Sequence, residues 1–485
     1  MQFKPFIFIC ILTLVGCNNS DSEPSIPIDQ PSTDLVTVGT ISGFGSIISN
    51  GVTFSTTAAT VMIDTEPSNL AELQVGMVVS IRGSVNTNTG ATTASYIHFE
   101  GDVEGVITNI NTNNNSLIIL GRTILVDELT VINNASFATL AIGNIVKVSG
   151  QWRDQERIQA TYITRTQNQY MNGMHMQVKG VIQALDPDLQ RFNIGTQVCD
   201  YSGAMLKLNG LALTNGMYVE ASSMRALSEN VFFLDQLQIR QRNRNRYNDG
   251  DKLCNLNCDF ELSGFITEFI SATDFTVDSL PVTTTSSTVF VNGSSSSLGL
   301  DVKVKVDGVL NDDDILVADK IVFSLQSFIE IDADVESINV SNAELSILGI
   351  NVETNSSTLF HDHSDAALRE FSINDLAFGD RVNIRAYMDS DRVMVSRLER
   401  QPPEDKVTLK ALVEEINPSS LTLLGVNVTT NQNTIYRNKA REIIDAETFF
   451  LSVTTTSLVK AEGSYDNTAI LANKLYLLDC DYGCL

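Results

Sequence analysis

His361-Asp362-His363 is the one place where two of the four histidines come together. On a strand, residues two apart share a face, so both imidazoles could reach a single metal ion. No third ligand stands out among the many acids, and two histidines in a polar loop are commonly just solvated. The sequence therefore predicts no resident metal and no other cofactor. Cys254 and Cys258 share a three-residue separation with Cys480 and Cys484. A four-thiolate zinc site more often has two residues between cysteines, and an exported chain oxidises its thiols, so local disulfides are the expectation. Extended cysteines four apart lie about 13 Å apart, so each bridge needs a turn. Cys199 is left over and reads as a small buried hydrophobe.

Arg240, Arg242, Arg244 and Arg246 alternate with polar residues. If extended, their guanidinium groups line one face, a candidate for binding phosphate or carboxylate groups of envelope glycans. The bland alternative is a solvated linker. Tyr247 to Asp251 and Asn311 to Asp314 are acidic turns that lack the distant glutamate of a calcium loop. No nucleophile elbow, zinc-protease helix, phosphate loop or dinucleotide fingerprint occurs, and no catalytic residue can be named. A pair of carboxylates acting on glycans stays open among 58 acids, but Trp152 is the single tryptophan available to stack on a sugar.

These residues need elements to hold them and an address. Residues 1–16 have one basic residue, Lys4, and an apolar run of about ten residues from Phe6 to Val15. That is half the roughly 20 residues a membrane span needs, and it fits a signal peptide. Leu14-Val15-Gly16-Cys17 resembles the bacterial lipobox, which implies cleavage before Cys17 and lipidation of its thiol. Asn18, in place of Asp, points to the outer membrane. Residues 17–34, rich in Ser and Pro, read as a tether. The net charge of −26 repels phosphates and argues against nucleic acid as a partner.

Val, Ile, Leu, Thr and Ser abound and long helical patterns are missing, so the chain reads as all-β. A motif of Gly or Ala followed by spaced apolar residues opens at Gly39, Gly105, Gly180, Gly264, Ala333 and Ala411. These openings stand about 65 to 85 residues apart, which marks internal repeats. A turn glycine follows between two apolar runs, at Gly51, Gly121, Gly195, Gly349 and Gly425. A later segment alternates apolar with polar residues, as from Gly76 to Gly83 and Gly143 to Gly150, and one closing strand pairs Ala94 with Ile97, Ala160 with Ile163. About five short strands in so small a unit bury both core and edges by curling into a barrel. The fold expected is a tandem array of about six small five-stranded OB-like barrels. They fall near 35–101, 102–166, 176–242, 259–326, 328–400 and 405–479, with a linker at 243–258 and a cysteine-containing tail at 480–485.

Gly43 to Phe54, and Glu261 to Val322 with Thr276 to Thr284 inside it, resemble a family of bacterial secreted repeats catalogued as a domain of unknown function. The units at 328–400 and 405–479 depart from it: Ala replaces the opening Gly, and Thr456 replaces a later one. The resemblance implies a fold and an envelope location and transfers no catalytic residue. The expected function is non-enzymatic: a lipid-anchored outer-membrane protein that binds or spaces something, with the membrane and an envelope polysaccharide or protein as partners. An envelope enzyme acting on glycans, or a carrier of a small ligand or metal, is the alternative.

Overall fold

The structure, a computed structural model, describes residues 32–240 and 258–479. Cys17, Arg242, Arg244, Arg246, Cys254, Cys480 and Cys484 lie outside the described residues. Strands make up more than half of these residues, and one short α-helix, Ala446–Ser452, occurs among them. No helix there is long and apolar enough to cross a membrane.

The first strand group shows the plan. Its strands are β1 (Ser32–Gly43), β2 (Ile47–Ser49), β3 (Val52–Ser55), β4 (Thr60–Ile63), β5 (Glu66–Ser68), β6 (Val78–Asn86) and β7 (Thr92–Phe99). β1, β2 and β3 form an antiparallel meander. β3 then runs parallel to β7, β7 antiparallel to β6, and β6 returns to β1. The ring order β1-β2-β3-β7-β6 closes the barrel and leaves no edge in the circuit. β4 is a rim strand, parallel to the far half of β7. Ile41, Ile47, Phe54, Ile81 and Ile97 point inward and are fully or almost fully buried.

We call this group A (32–99) and those that follow B (103–167), C (176–239), D (259–323), E (329–400) and F (407–478). B, D and F close the same ring. In C the closing strand is interrupted at Leu234-Asp235, and in E the opening strand at Val335-Glu336. The hairpin turns place the glycines where the sequence put them. Asn50-Gly51 and Leu120-Gly121 have positive φ at both central residues, the geometry that matches the twist of a tight hairpin. Leu120 holds this conformation with its side chain fully buried.

The array is not a string of beads. β1 lies parallel to Asp259–Ser271, so A shares a sheet with D rather than with B. B pairs with C, and E with F. Apolar cores run across these seams: Val131 and Tyr162 of B and Leu359 of E pack into the core of A. Ion pairs fix the remaining seams. Arg153 of B clamps Asp301 of D at 2.5 and 2.7 Å. Glu128 of B accepts from Lys410 of F at 2.8 Å and forms an ion pair with Arg385 of E at 3.0 Å.

Candidate functional site

The meeting of A, B and E leaves a cavity of about 320 Å³. Its wall from E is built by the rim strand Leu359–Asp362, which runs parallel to Arg392–Arg400 with His361 opposite Glu399. Alternation decides which side chains face it. Leu398 points into the barrel and is fully buried. His361, Arg397 and Glu399 point the other way, toward B. The ladder runs one residue past the strand, because the His363 N–H donates to the Arg400 carbonyl at 2.8 Å. His363 thus returns to the His361 face.

Three donors meet on one oxygen. His361 Nδ1 lies 2.9 Å, His363 Nδ1 2.8 Å and Arg397 Nη2 2.9 Å from Glu399 Oε1. The two rings stand 4.3 Å apart, centroid to centroid. Burial alone would raise the Glu399 carboxyl; the hydrogen bonds from both histidines and the charge of Arg397 outweigh it and hold it well below the usual carboxylate range. Arg397 also donates through Nη1 to the carbonyls of Glu128 and Thr130, at 3.0 and 3.1 Å, and so ties the cluster to B.

Asp362 faces the other way and does a different job. Burial pushes its carboxyl up, but Arg400 and the Ser364 and Leu368 N–H groups hold it far below the usual range. These bonds fold the following loop back over the cavity. There Arg369 stacks 3.7 Å above the Phe44 ring and donates to the carbonyls of Leu70 and Leu73 in A. Asn133 and Tyr162 of B complete the rim.

The same rim pairing recurs with other residues. An apolar pair sets the register: Val61 with Ile97 in A, Ile132 with Ile163 in B, Phe360 with Leu398 in E, Tyr436 with Leu475 in F. The next pair faces outward. It is Met62 with His98, Asn133 with Thr164, Lys207 with Gln238, Val291 with Val322, His361 with Glu399, and Arg437 with Tyr476 from A to F. Glu399 is thus the third side chain of the cluster with His361 and His363, the one that the sequence did not single out. It was findable: Leu398 is the apolar residue of the closing strand, and Glu399 is the next residue along.

Other candidates take different places. Arg240 is the one described member of the arginine ladder. Its guanidinium sits 3.0 Å from Glu220 and 3.5 Å from Glu100, in a cavity of about 530 Å³ that also holds His175. It is thus already matched by carboxylates and does not stand out as an exposed anion clamp. Cys258 is disulfide-bonded, and the cysteine that completes the bond lies outside the described residues. Cys199 is free and fully buried, and burial pushes its thiol well above the ordinary range. Trp152 is buried, its indole N–H donating to Asp102 at 3.1 Å, so it offers no surface for a sugar. Asn311 to Asp314 form a hairpin turn, with the Asn311 side chain accepting from Asp313 and Ile315 N–H groups.

Five stretches of the chain match one family model: residues 36–98, 104–164, 263–322, 334–397 and 410–475. They lie in A, B, D, E and F; C repeats the circuit without a match. The model is described as a domain of unknown function (DUF5666). A search of the curated proteins finds no match.

Proposed function

Starting from a chain that belongs to the DUF5666 family of repeats, we propose that it is a non-enzymatic, lipid-anchored protein of the bacterial outer membrane whose repeats act together as one binding body. The observation that carries this reading is the position of the cavities. The cavity of about 320 Å³ lies where A, B and E meet, and one of about 600 Å³ lies between A and D. A spacer needs only end-to-end links. Here Arg369 of E donates to the Leu70 and Leu73 carbonyls of A, and Arg397 of E to the Glu128 and Thr130 carbonyls of B, which supports a preformed cleft where the three groups meet, as ligand sites usually are. The lipobox at Leu14 to Cys17 supports the anchor, and a chain carrying −26 supports partners other than nucleic acid.

The test has two arms. Cells carrying Cys17→Ser should release the protein from the detergent phase, because lipid chains supply about 0.8 kcal/mol per buried methylene to membrane binding. A variant that stays wholly in the detergent phase removes the anchor. The mature protein should also capture an envelope polysaccharide or protein from extracts; capture of nothing removes the binding role.

A further inference from the structure

We propose that His361, His363 and Glu399 form a binding site for one divalent transition-metal ion of the zinc type, in the wall of the cavity where A, B and E meet. This names a ligand class for that cavity and rests on reading it as a binding site.

The donor atoms of the three residues lie within 4.8 Å of one another. Two strand geometries produce this: the His-x-His spacing puts both rings on one face, and the parallel register puts Glu399 opposite His361. Metal bonds to His and carboxylate are about 2.0–2.2 Å long, which places neighbouring ligand atoms of a tetrahedral site about 3.3–3.6 Å apart. The two nitrogens already lie 2.9 and 2.8 Å from the carboxylate oxygen. An ion therefore enters with small side-chain shifts. Each imidazole binds as the neutral ring through Nδ1, its proton then carried on Nε2.

The donor set selects the class of ion. Calcium and magnesium take oxygen ligands, and calcium six to eight of them; two imidazoles with one carboxylate suit zinc and its neighbours. Arg397 supplies the outer support that ligating carboxylates generally have, holding Glu399 from the side facing B. Access is open, since the His363 side chain is 43% exposed while that of Glu399 is 10% exposed. The fold does not require histidine at this place. The equivalent outward pairs elsewhere are Met62 with His98, Asn133 with Thr164, Lys207 with Gln238, Val291 with Val322 and Arg437 with Tyr476.

The experiment is a titration of the full mature chain, stripped with chelator, with Zn²⁺ followed by calorimetry and with Co²⁺ followed by its visible absorption. Wild type should bind one equivalent that depends on this cluster. Losing a supporting residue around a metal typically weakens it 10- to 100-fold, so His363→Ala, which removes a ligand, should weaken it about 100-fold or more, and Arg397→Lys about tenfold. Should His363→Ala fail to fold, His363→Gln carries the same test. Equal affinity in wild type and the His363 variant, or no binding by wild type, would overturn the site and leave both rings as hydrogen-bond donors to Glu399. The titration uses no envelope extract. A failed capture of envelope partners and a failed metal titration are therefore separate results.

Discussion

At the rim of group E, His361 lies opposite Glu399; at the same place in group F, Arg437 lies opposite Tyr476. The residues beneath are alike. Phe360 with Leu398 and Tyr436 with Leu475 set the same register at the two rims, and the two groups share a sheet and a core. What differs is the neighbour. The outward face of E is covered by B, so Arg397, at 11% side-chain exposure, and Glu399 must satisfy one another. The outward position in F that corresponds to Arg397 is Lys474, at 43%, paired loosely with Glu462 at 3.7 Å. The barrel fixes where a side chain points; packing against a second barrel decides whether charge there has consequences. Function then lives in a site grafted on the fold.

The sharpest way to break this comparison is to remove the two cations. Arg397→Ala deletes one partner of a buried pair together with two bonds to carbonyls of B. Breaking a buried pair from one side costs about 3–5 kcal/mol, because the other charge stays buried. Lys474→Ala should cost less than about 1 kcal/mol, as exposed pairs do. Urea titration combined with hydrogen exchange of Ile384 and Val395 in E, against Val459 and Leu475 in F, reads the difference. Equal losses would show that the seam with B does not control the energetics of E.

Acid should separate the two groups in the same direction. Asp362 and Glu399 in E are buried, and burial raises them, but their cationic and hydrogen-bonding partners within E hold both below the ordinary range. A carboxyl lowered in the folded state binds its proton more tightly when unfolded. The stability it contributes is complete above the unfolded value, about 4 to 4.5, and is lost as pH falls through the lowered folded value. Each such group removes at most about 1.4 kcal/mol per pH unit. In F the lowered carboxyls are Asp445 and Asp466, both at the solvent surface. Hydrogen exchange, corrected for its intrinsic pH dependence, should show E opening before F below about pH 4. F opening first would contradict the assignment of buried charge to E.

Much of this architecture is legible in the chain. The turn glycines at 51, 121, 349 and 425 all sit at positive φ between paired strands, because a tight hairpin demands that backbone and glycine adopts it without strain. The alternation around Gly143 to Gly150 marks a real strand, Ile145–Trp152. The partnership of A with D and the tie of Arg397 to B are not legible in the same way. Both depend on contacts between repeats far apart in sequence, such as Thr37 with Glu261 and Arg397 with Thr130. Local pattern carries no signal for such contacts. The surroundings of Arg240, the one described member of the arginine ladder, are hidden for a related reason. Alternation says which way Arg240 points, but not that Glu220 and Glu100 wait on that side.

The smallest expected effect sharpens the comparison where E and F are alike. Leu348-Gly349 and Leu424-Gly425 are the same hairpin turn, with φ of 55° and 71° in E and 48° and 75° in F. A methyl group at Gly425 would meet nothing within 4 Å, and at Gly349 only the Tyr465 hydroxyl at 3.9 Å. Steric contact therefore adds nothing at either place. What remains is the cost of holding an L-residue in the left-handed region, about 1–2 kcal/mol. Gly349→Ala and Gly425→Ala should thus lose nearly equal stability, read as equal shifts in the urea midpoint. The same change at Gly121 of B is a useful contrast, because there the methyl would come within 2.4 Å of the Gln197 backbone nitrogen in C. Its cost should exceed the other two. If all three were equal, the contact between the turns of B and C would carry no energy. If Gly349 and Gly425 differed by more than a few tenths of a kcal/mol, surroundings would matter even at the turns, and the division between a common frame and a locally determined rim would fail.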